Sequence, residues 1–557
     1  MQDQTKTTAG SLNIATHLTR MANLVPNQVA VTIAADRNAD GRAIYQSLTF
    51  AELEGYSNRC ANALTRSGIK RGMRTLVMVR PGFEFFGIAF ALFKMGAVVV
   101  MIDPGMGISR LLDCVRQVDL DAFVGVPLAQ VVRAVHRKTF ADLKSVVTVG
   151  RRLGWRGKTL RELTAGVSNR FECMDTASDE TAAILFTSGS TGPAKGVVYQ
   201  HGMFDAQIRM IQSQYGIEPG EIDLPAFPLF ALFSTAMGMT AVIPDMDPSK
   251  PAKVDPAKII EAILDHGVTN TFGSPAIWKR VAGHAGRKKI ELPSLRRILI
   301  AGAPVPWSVI EQLHRIISEG ADVYTPYGAT ESLPVSSISG REVIGETKEL
   351  SRAGAGICVG SPVSGTELRI IRITDDPIDP WRDDLLVADG QPGEIVVAGP
   401  QVTRKYFNLP DATAASKIRD GGRLWHRIGD LGYRDLQGRI WFCGRKAHRV
   451  ETQTATLLSV CCEAVFNEHP DVARSALVGI GPRGSQRAVL VVEPIRGRFP
   501  YSSRRCASFI RELLDIGATN RRTTSIGDFL FRRRLPVDIR HNAKINREAL
   551  AEWASTR

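Results

Sequence analysis

Apolar residues come in short runs separated by glycine, proline and charged turns, and their spacing alternates between two periods. Phe50 opens a segment with Leu53, Ala61 and Leu64 at helical spacing. Residues 75–79 form a β-rich run that stops at Arg80, Pro81 and Gly82. The most apolar stretch, 85–102, has the length of a membrane span, but Lys94 lies midway and Gly96 breaks it. It reads as an amphipathic helix over 84–94 and a buried strand over 97–102. The run 182–186 predicts another buried strand and 197–199 a further one.

The alternation resumes beyond residue 256. Pro256 suits the first turn of a helix over 257–266. Strands follow over 269–272, 297–300 and 322–324, with a helix over 307–317 between the last two. Such βαβ repetition predicts an α/β architecture with doubly wound, mostly parallel sheets. Between 354 and 443 the pattern becomes short β runs at 367–373, 393–397 and 439–442, as in a small β-barrel or sandwich. Beyond 451 a helix over 457–467 and strands over 475–479 and 488–493 suggest a separate, smaller α+β unit. The division expected is a large unit, 1–444, and a C-terminal unit, 445–557.

A chain of 557 residues exceeds one core, which agrees with several units. The eight cysteines show no CxxC pair and no metal spacing, so they read as reduced thiols of a cytoplasmic protein. Residues 1–6 show no start of a secretory signal, and no transmembrane segment is expected. The net charge of +14 is concentrated partly in 504–557, with 12 Lys and Arg against 6 Asp and Glu. No RNP-like aromatic motif, zinc knuckle or basic zipper accompanies it, so nucleic acid is not the expected partner. A solvated basic face, or one suited to anionic ligands, fits better.

The candidate chemistry starts at residues 187–196, Thr-Ser-Gly-Ser-Thr-Gly-Pro-Ala-Lys-Gly, between two predicted strands. Glycines allow close backbone approach to an anion, N–H and hydroxyl groups donate to phosphate oxygens, and Lys195 neutralises charge. The spacing is not that of a Walker A loop, which needs G-x-x-x-x-G-K-[ST] opening a helix. Taken alone, such a loop also suits a solvated hairpin tip. The loops at 301–304 and 325–331 leave strand C-termini as well, where ligands of such sheets bind.

The ordered motifs carry a resemblance. They are 187–196; Tyr327-Gly-Ala-Thr-Glu331; 393–400 with Tyr406, Phe407 and Asn408; Gly429-Asp430; Gly444-Arg445; and 536–544. Over nearly its whole length the chain resembles the adenylate-forming superfamily of acyl-CoA synthetases, peptide-synthetase adenylation domains and luciferases. The resemblance implies ATP and Mg²⁺ as cofactors and a mobile C-terminal unit carrying a catalytic lysine. It implies that Thr187, Ser188, Gly189, Ser190, Thr191, Gly192 and Lys195 grip the β- and γ-phosphates. Gly302, Ala303 and Pro304 would flank adenine, Tyr327 and Gly328 would form its stacking platform, and Thr330 would touch the α-phosphate. Glu331 would hold Mg²⁺, Asp430 the ribose hydroxyls, and Arg445 a ribose or phosphate oxygen. Lys544 would bridge the carboxylate and α-phosphate, although Ala543 replaces the glycine usual there.

Three departures bear on the acceptor. Ala447 replaces the Asp or Lys of the family hinge, Gln453 and Thr454 replace a glycine pair, and Ala231 stands in place of the family's aromatic His near Phe227 and Phe230. Bulk at 453–454 would obstruct a pantetheine path. The expected outcome is therefore attack by a substrate β-hydroxyl on its own activated carboxyl, closing a β-lactone. The ending 537–544 resembles the β-lactone-forming branch of bacterial long-chain olefin biosynthesis. That implies a long-chain 2-alkyl-3-hydroxyalkanoic acid substrate and assembly with the other enzymes of the pathway. A fatty acyl-CoA ligase and a non-catalytic adenylate-binding scaffold remain the alternatives. Phe227, Phe230, Phe233 and Met237 have the spacing of an acyl-pocket wall or of ordinary core.

Overall fold

The computed structural model describes residues 12–186, 194–537 and 545–557. Two seven-stranded sheets form the body of the large unit. One runs in the order Lys158–Thr159, Ser145–Thr148, Ala122–Gly125, Arg74–Met78, Val98–Ile102, Thr181–Phe186, Gly196–Gln200. All its pairings are parallel except the last, in which Phe186 faces Gly196. The two expected strands therefore flank 187–195. A Cβ on Gly196 would lie 2.7 Å from the Phe186 ring, so only glycine fits there.

The second sheet runs Asp322–Tyr324, Arg297–Ile300, Asn270–Gly273, Ile222–Pro225, Thr240–Ile243, Val29–Arg37, Ala43–Thr49. It too is parallel except at its final pair. Apolar residues from both sheets share one core, in which Val99 and Ala183 of the first join Ala241 and Leu299 of the second. The alternating pattern of the sequence thus becomes the α/β fold it predicts.

The helix expected to be amphipathic over 84–94 is Phe83–Lys94, and it is buried from Phe85 to Lys94. The expectation of a polar face fails because the helix is covered on all sides. Its one buried charge is satisfied locally: Lys94 Nζ lies 2.7 Å from Glu54 Oε1 and donates to Ser57 Oγ at 2.8 Å and Asn58 Oδ1 at 2.5 Å. Burial pushes the Lys94 ammonium below its ordinary pKa, and the Glu54 charge offsets part of that.

The short β runs form an eight-stranded antiparallel sheet, from Tyr327–Ala329 and Ser332–Ser337 through Ile357–Pro362, Ile440–Arg445, Arg423–Arg434 and Gly393–Ala398 to Glu367–Ile371. Lys417–Asp420 pairs with Arg423–Arg434 off that path. Val335, Val359, Leu368, Ile395 and Ile440, from across the sheet, meet in one cluster. Strand Ile440–Arg445 leads into the single turn Lys446–His448, and the C-terminal unit follows. Its sheet pairs Val472–Ile480 with Arg487–Pro494, and the latter with Asp528–Phe531. The helix expected over 457–467 spans Ser459–Phe466 and packs against strand Ile440–Arg445.

Candidate active site

One cavity of about 2060 Å³ runs through the centre of the molecule. That is about twice the upper end for a drug-sized ligand. Its wall divides into a polar end and an apolar body. The polar end is built where strands of the second sheet stop and the antiparallel sheet begins.

Ala301, Gly302, Ala303 and Pro304 follow strand Arg297–Ile300 and line this end. Gly302 has φ +92°, a conformation that glycine adopts without strain. Tyr327, Gly328, Thr330 and Glu331 follow strand Asp322–Tyr324 and line it too, as do Asp430 and Arg445. A Cβ on Gly328 would meet the Ser332 carbonyl oxygen at 2.7 Å, which keeps this turn tight.

Pairing in the antiparallel sheet sets Asp430 opposite Arg445. Arg445 Nη1 donates to Asp430 Oδ1 at 2.8 Å, and the Tyr327 hydroxyl donates to Asp430 Oδ2 at 2.6 Å. Residues separated by more than a hundred positions are joined through one buried carboxylate. The Asp430 charge raises the Arg445 pKa, and burial followed by that charge raises the Tyr327 phenol well above its ordinary value. The guanidinium stays cationic and the phenol stays a donor throughout the neutral range.

Glu331 is held separately. Tyr406 donates from its hydroxyl to Glu331 Oε1 at 2.7 Å, and the Thr403 N–H donates to the Glu331 carbonyl at 2.9 Å. Lys195 places its ammonium 4.8 Å from the centre of the Tyr406 ring. The loop lysine and the acidic residue thus meet on one aromatic ring. Tyr199 donates to the Thr330 carbonyl.

Thr187, Ser188, Gly189, Ser190, Thr191, Gly192 and Lys544 lie outside the described residues. The residues flanking Lys544 are described. Val537 bridges to Ile545, the Asn546 N–H donates to the Pro536 carbonyl at 2.8 Å, and Ile545 and Arg547 line the cavity.

A second layer stands behind Glu331 that no sequence motif marks. Lys417 is buried and donates from Nζ to the Thr403 carbonyl. His426 is buried beside it, and its ring stays neutral because burial and the Lys417 charge push its pKa well down. Lys417 sits in a polar run, 410–417, that reads as surface, so no local signal marks it. Glu394 also carried no role. It is buried, paired with Arg427 at 2.6 Å and with Lys446 Nζ at 3.0 Å.

The apolar body lies between the two sheets. Helix Pro228–Ala236 crosses it, and Phe227, Phe230, Phe233 and Met237 line it as the spacing suggested. Phe230 stacks on Phe272 with ring centres 3.8 Å apart. Ala231 faces core instead. Gln453 and Thr454 form the exposed turn of the hairpin Val450–Glu451 and Thr456–Leu457, and neither lines the cavity.

Residues 19–407 match the family described as AMP-binding enzyme. The chain is 48% identical over 552 residues to the olefin beta-lactone synthetase of Stenotrophomonas maltophilia, covering 98% of each chain. It is 46% identical to the protein of that name from Xanthomonas campestris pv. campestris, covering 98% of this chain and 97% of the other. Among solved structures, the amide bond synthetase McbA from Marinactinospora thermotolerans shares the fold with a TM-score of 0.78 at 23% identity, covering 97% of this chain and 99% of that one.

Proposed function

Because this chain belongs to the AMP-binding enzyme family, we propose that it is an ATP-dependent ligase that makes a β-lactone from a long-chain 2-alkyl-3-hydroxyalkanoic acid, in the formation of olefins. The observation that carries the reading is near-full-length identity of 46–48% to two olefin beta-lactone synthetases. The wall of the cavity supports it, since a polar end with Asp430, Arg445 and Glu331 opens onto an apolar body sized for alkyl chains.

In the first step a carboxylate oxygen attacks the α-phosphorus of ATP, forming a P–O bond, and pyrophosphate leaves. Two anions approach each other, so fixed cations and donors have to offset the charge. Lys195 and the 187–192 loop hold the β- and γ-phosphates, Thr330 contacts the α-phosphate, and Lys544 bridges it to the attacking carboxylate. Asp430 accepts from the ribose hydroxyls, with Arg445 beside it. Tyr327 and Gly328 cover one adenine face, with Gly302, Ala303 and Pro304 alongside. In the second step the 3-hydroxyl oxygen attacks the acyl carbon. The C–O bond to AMP breaks, AMP departs, and the hydroxyl proton is released. Enforced proximity within one substrate favours closure of the strained ring.

Glu331 would hold Mg²⁺ as a hard oxygen ligand, and Tyr406 fixes one of its carboxylate oxygens. When bound, Mg²⁺ would neutralise phosphate charge. Residues 1–444 supply the nucleotide and acyl walls, and 445–557 move to present Lys544. Location in the cytoplasm and assembly with the enzymes that supply the acid and consume the lactone complete the proposal. No helix among the described residues is long and apolar enough to cross a membrane.

The test is incubation with ATP, Mg²⁺ and a 2-alkyl-3-hydroxy acid, with and without CoA, followed by NMR of the product. We expect a β-lactone ring and one AMP per lactone, independent of CoA. Acyl-CoA formed only when CoA is present would overturn the reading.

A further inference from the structure

Helix Pro127–Val135 buries Ala129 in the core but carries a second apolar stripe on its outer side. Its polar Gln130 is completely buried and donates from Nε2 to the Val147 carbonyl at 2.9 Å. Its apolar residues Leu128, Val131 and Val135, spaced to share one face, are 70%, 44% and 70% exposed. A surface helix ordinarily directs such a stripe at the core. Ile108 is 57% exposed at the start of helix Ile108–Val118, and Leu153 is 70% exposed on the neighbouring loop. That loop is close by, since a Cβ on Gly150 would lie 3.6 Å from Pro127 Cδ. Five of the sixteen large apolar side chains exposed among the described residues fall in this stretch, so the patch is not the ordinary scatter of single residues.

The patch has a basic border. Residues 127–158 contain eight Lys and Arg and one acidic residue, Asp142. Among the described residues, Arg133, Arg137, Lys138, Arg151, Arg152 and Arg156 form no ion pair with a carboxylate; Arg152 donates to the Gly157 carbonyl at 2.6 Å and has Glu162 near it. Burial, and after it the nearby Arg156 and Arg137 charges, push the Arg133 pKa down. Unpaired cations around exposed aliphatic side chains are the composition of an interfacial element: the cations meet anionic headgroups while the aliphatic groups enter the acyl boundary. The position is telling as well. Ile108 and Leu128 are exposed and also line the central cavity, so the patch adjoins its rim.

We propose that the face formed by helix Pro127–Val135, the start of helix Ile108–Val118 and the loop 150–157 docks on an anionic lipid surface. Docked there, the rim of the cavity lies against the lipid. An acid with long alkyl chains would then enter from the bilayer and need not cross water, and the product would return the same way. The basic 504–557 segment supplies long-range attraction, whereas this face supplies insertion.

The test is cosedimentation of the full chain with phosphatidylglycerol-containing vesicles and with pure phosphatidylcholine vesicles. Binding to the anionic vesicles should exceed binding to the neutral ones by tenfold or more and weaken with salt. Two variants localise the effect: V131S/V135S/L153S removes aliphatic groups that do not line the cavity, and R137E/K138E reverses two border charges. Each should lose at least tenfold in vesicle binding, with AMP formation from a short, water-soluble 3-hydroxy acid unchanged. Wild-type protein remaining in the supernatant with anionic vesicles would overturn the proposal, as would equal binding by V131S/V135S/L153S. If wild type ignores vesicles and that variant instead dissociates an oligomer in sedimentation equilibrium, the stripe is a protein interface and the lipid assignment falls. Vesicle binding is read without turnover, so this test and that of the β-lactone reading fail separately.

Discussion

Lys417 shows what a single buried charge does here. Its ammonium is out of water, and burial pushes its pKa from 10.5 down to about 7, with the nearby Glu331 charge offsetting part of the fall. Below pH 7 the lysine is protonated in both folded and unfolded chains, and the folded state bears the full cost. Between pH 7 and 10.5 the unfolded chain binds the extra proton, so stability rises with pH through that window. We expect Lys417→Met to flatten this rise, read as urea midpoints at pH 6.5, 8 and 9.5. The contribution is several kcal/mol from end to end. Parallel pH profiles for wild type and variant would refute the assignment. The donation to the Thr403 carbonyl gives the lysine its second effect, because Thr403 holds the Glu331 backbone.

At the scale of the element, helix Pro228–Ala236 carries information that its composition conceals. Pro-Leu-Phe-Ala-Leu-Phe reads as core, yet Phe227, Leu229, Phe230 and Phe233 are only half-buried in the middle of the molecule. They are half-buried because they face the cavity. Ala231 faces protein, and Ser234, which borders the cavity, donates to Asp223 Oδ2 at 2.5 Å. Enlarging a residue that faces empty space costs little stability but removes room for substrate. We therefore expect Phe230→Trp to lower kcat/KM for long-chain acids about tenfold, with a short-chain acid spared and the unfolding midpoint shifted by less than about 1.5 kcal/mol. An equal loss for both acids would place Phe230 outside the acyl path. The same contrast of sides separates helix Phe83–Lys94, buried from Phe85 onward, from helix Pro127–Val135, which leaves the stripe Leu128, Val131 and Val135 outside.

Across the whole molecule, the junction of the two units is held by charges from both. Arg352 donates from Nε to Glu468 at 2.7 Å, Asp375 accepts from Arg449 and Arg483 at 2.6 and 2.7 Å, and Glu394 binds Lys446. The first two groups are partly exposed and contribute little each. Glu394 differs, since it and Arg427 are both buried. Removing it leaves a buried guanidinium without a counter-charge, and releases Lys446 directly after Arg445. We expect Glu394→Ala to destabilise the fold by about 3–5 kcal/mol. Glu394→Gln should lose less stability, and its remaining defect should lie in turnover with bound ATP rather than in ATP affinity. Unfolding of both variants within about 0.5 kcal/mol of wild type would remove Glu394 from the junction.

The sequence by itself determined the elements and the ordered motifs. Alternating runs of period 2 and 3.6 specify strands and helices because burial of one face is a local demand, and their βαβ order admits few topologies. Tyr327, Glu331, Asp430 and Arg445 were legible only as members of an ordered set of motifs that resembles the adenylate-forming superfamily, since a lone Glu331 or Asp430 reads as a turn or cap residue. What only the tertiary structure decided is which side of each element meets protein, cavity or solvent. Lys94, Glu394 and Lys417 look like surface charges in one dimension, and their burial depends on partners or covering elements elsewhere in the chain. The outward stripe of Leu128, Val131 and Val135 has the spacing of a core face. Its exposure follows from Gln130 reaching Val147 in the neighbouring strand, a contact that no pattern within the helix encodes.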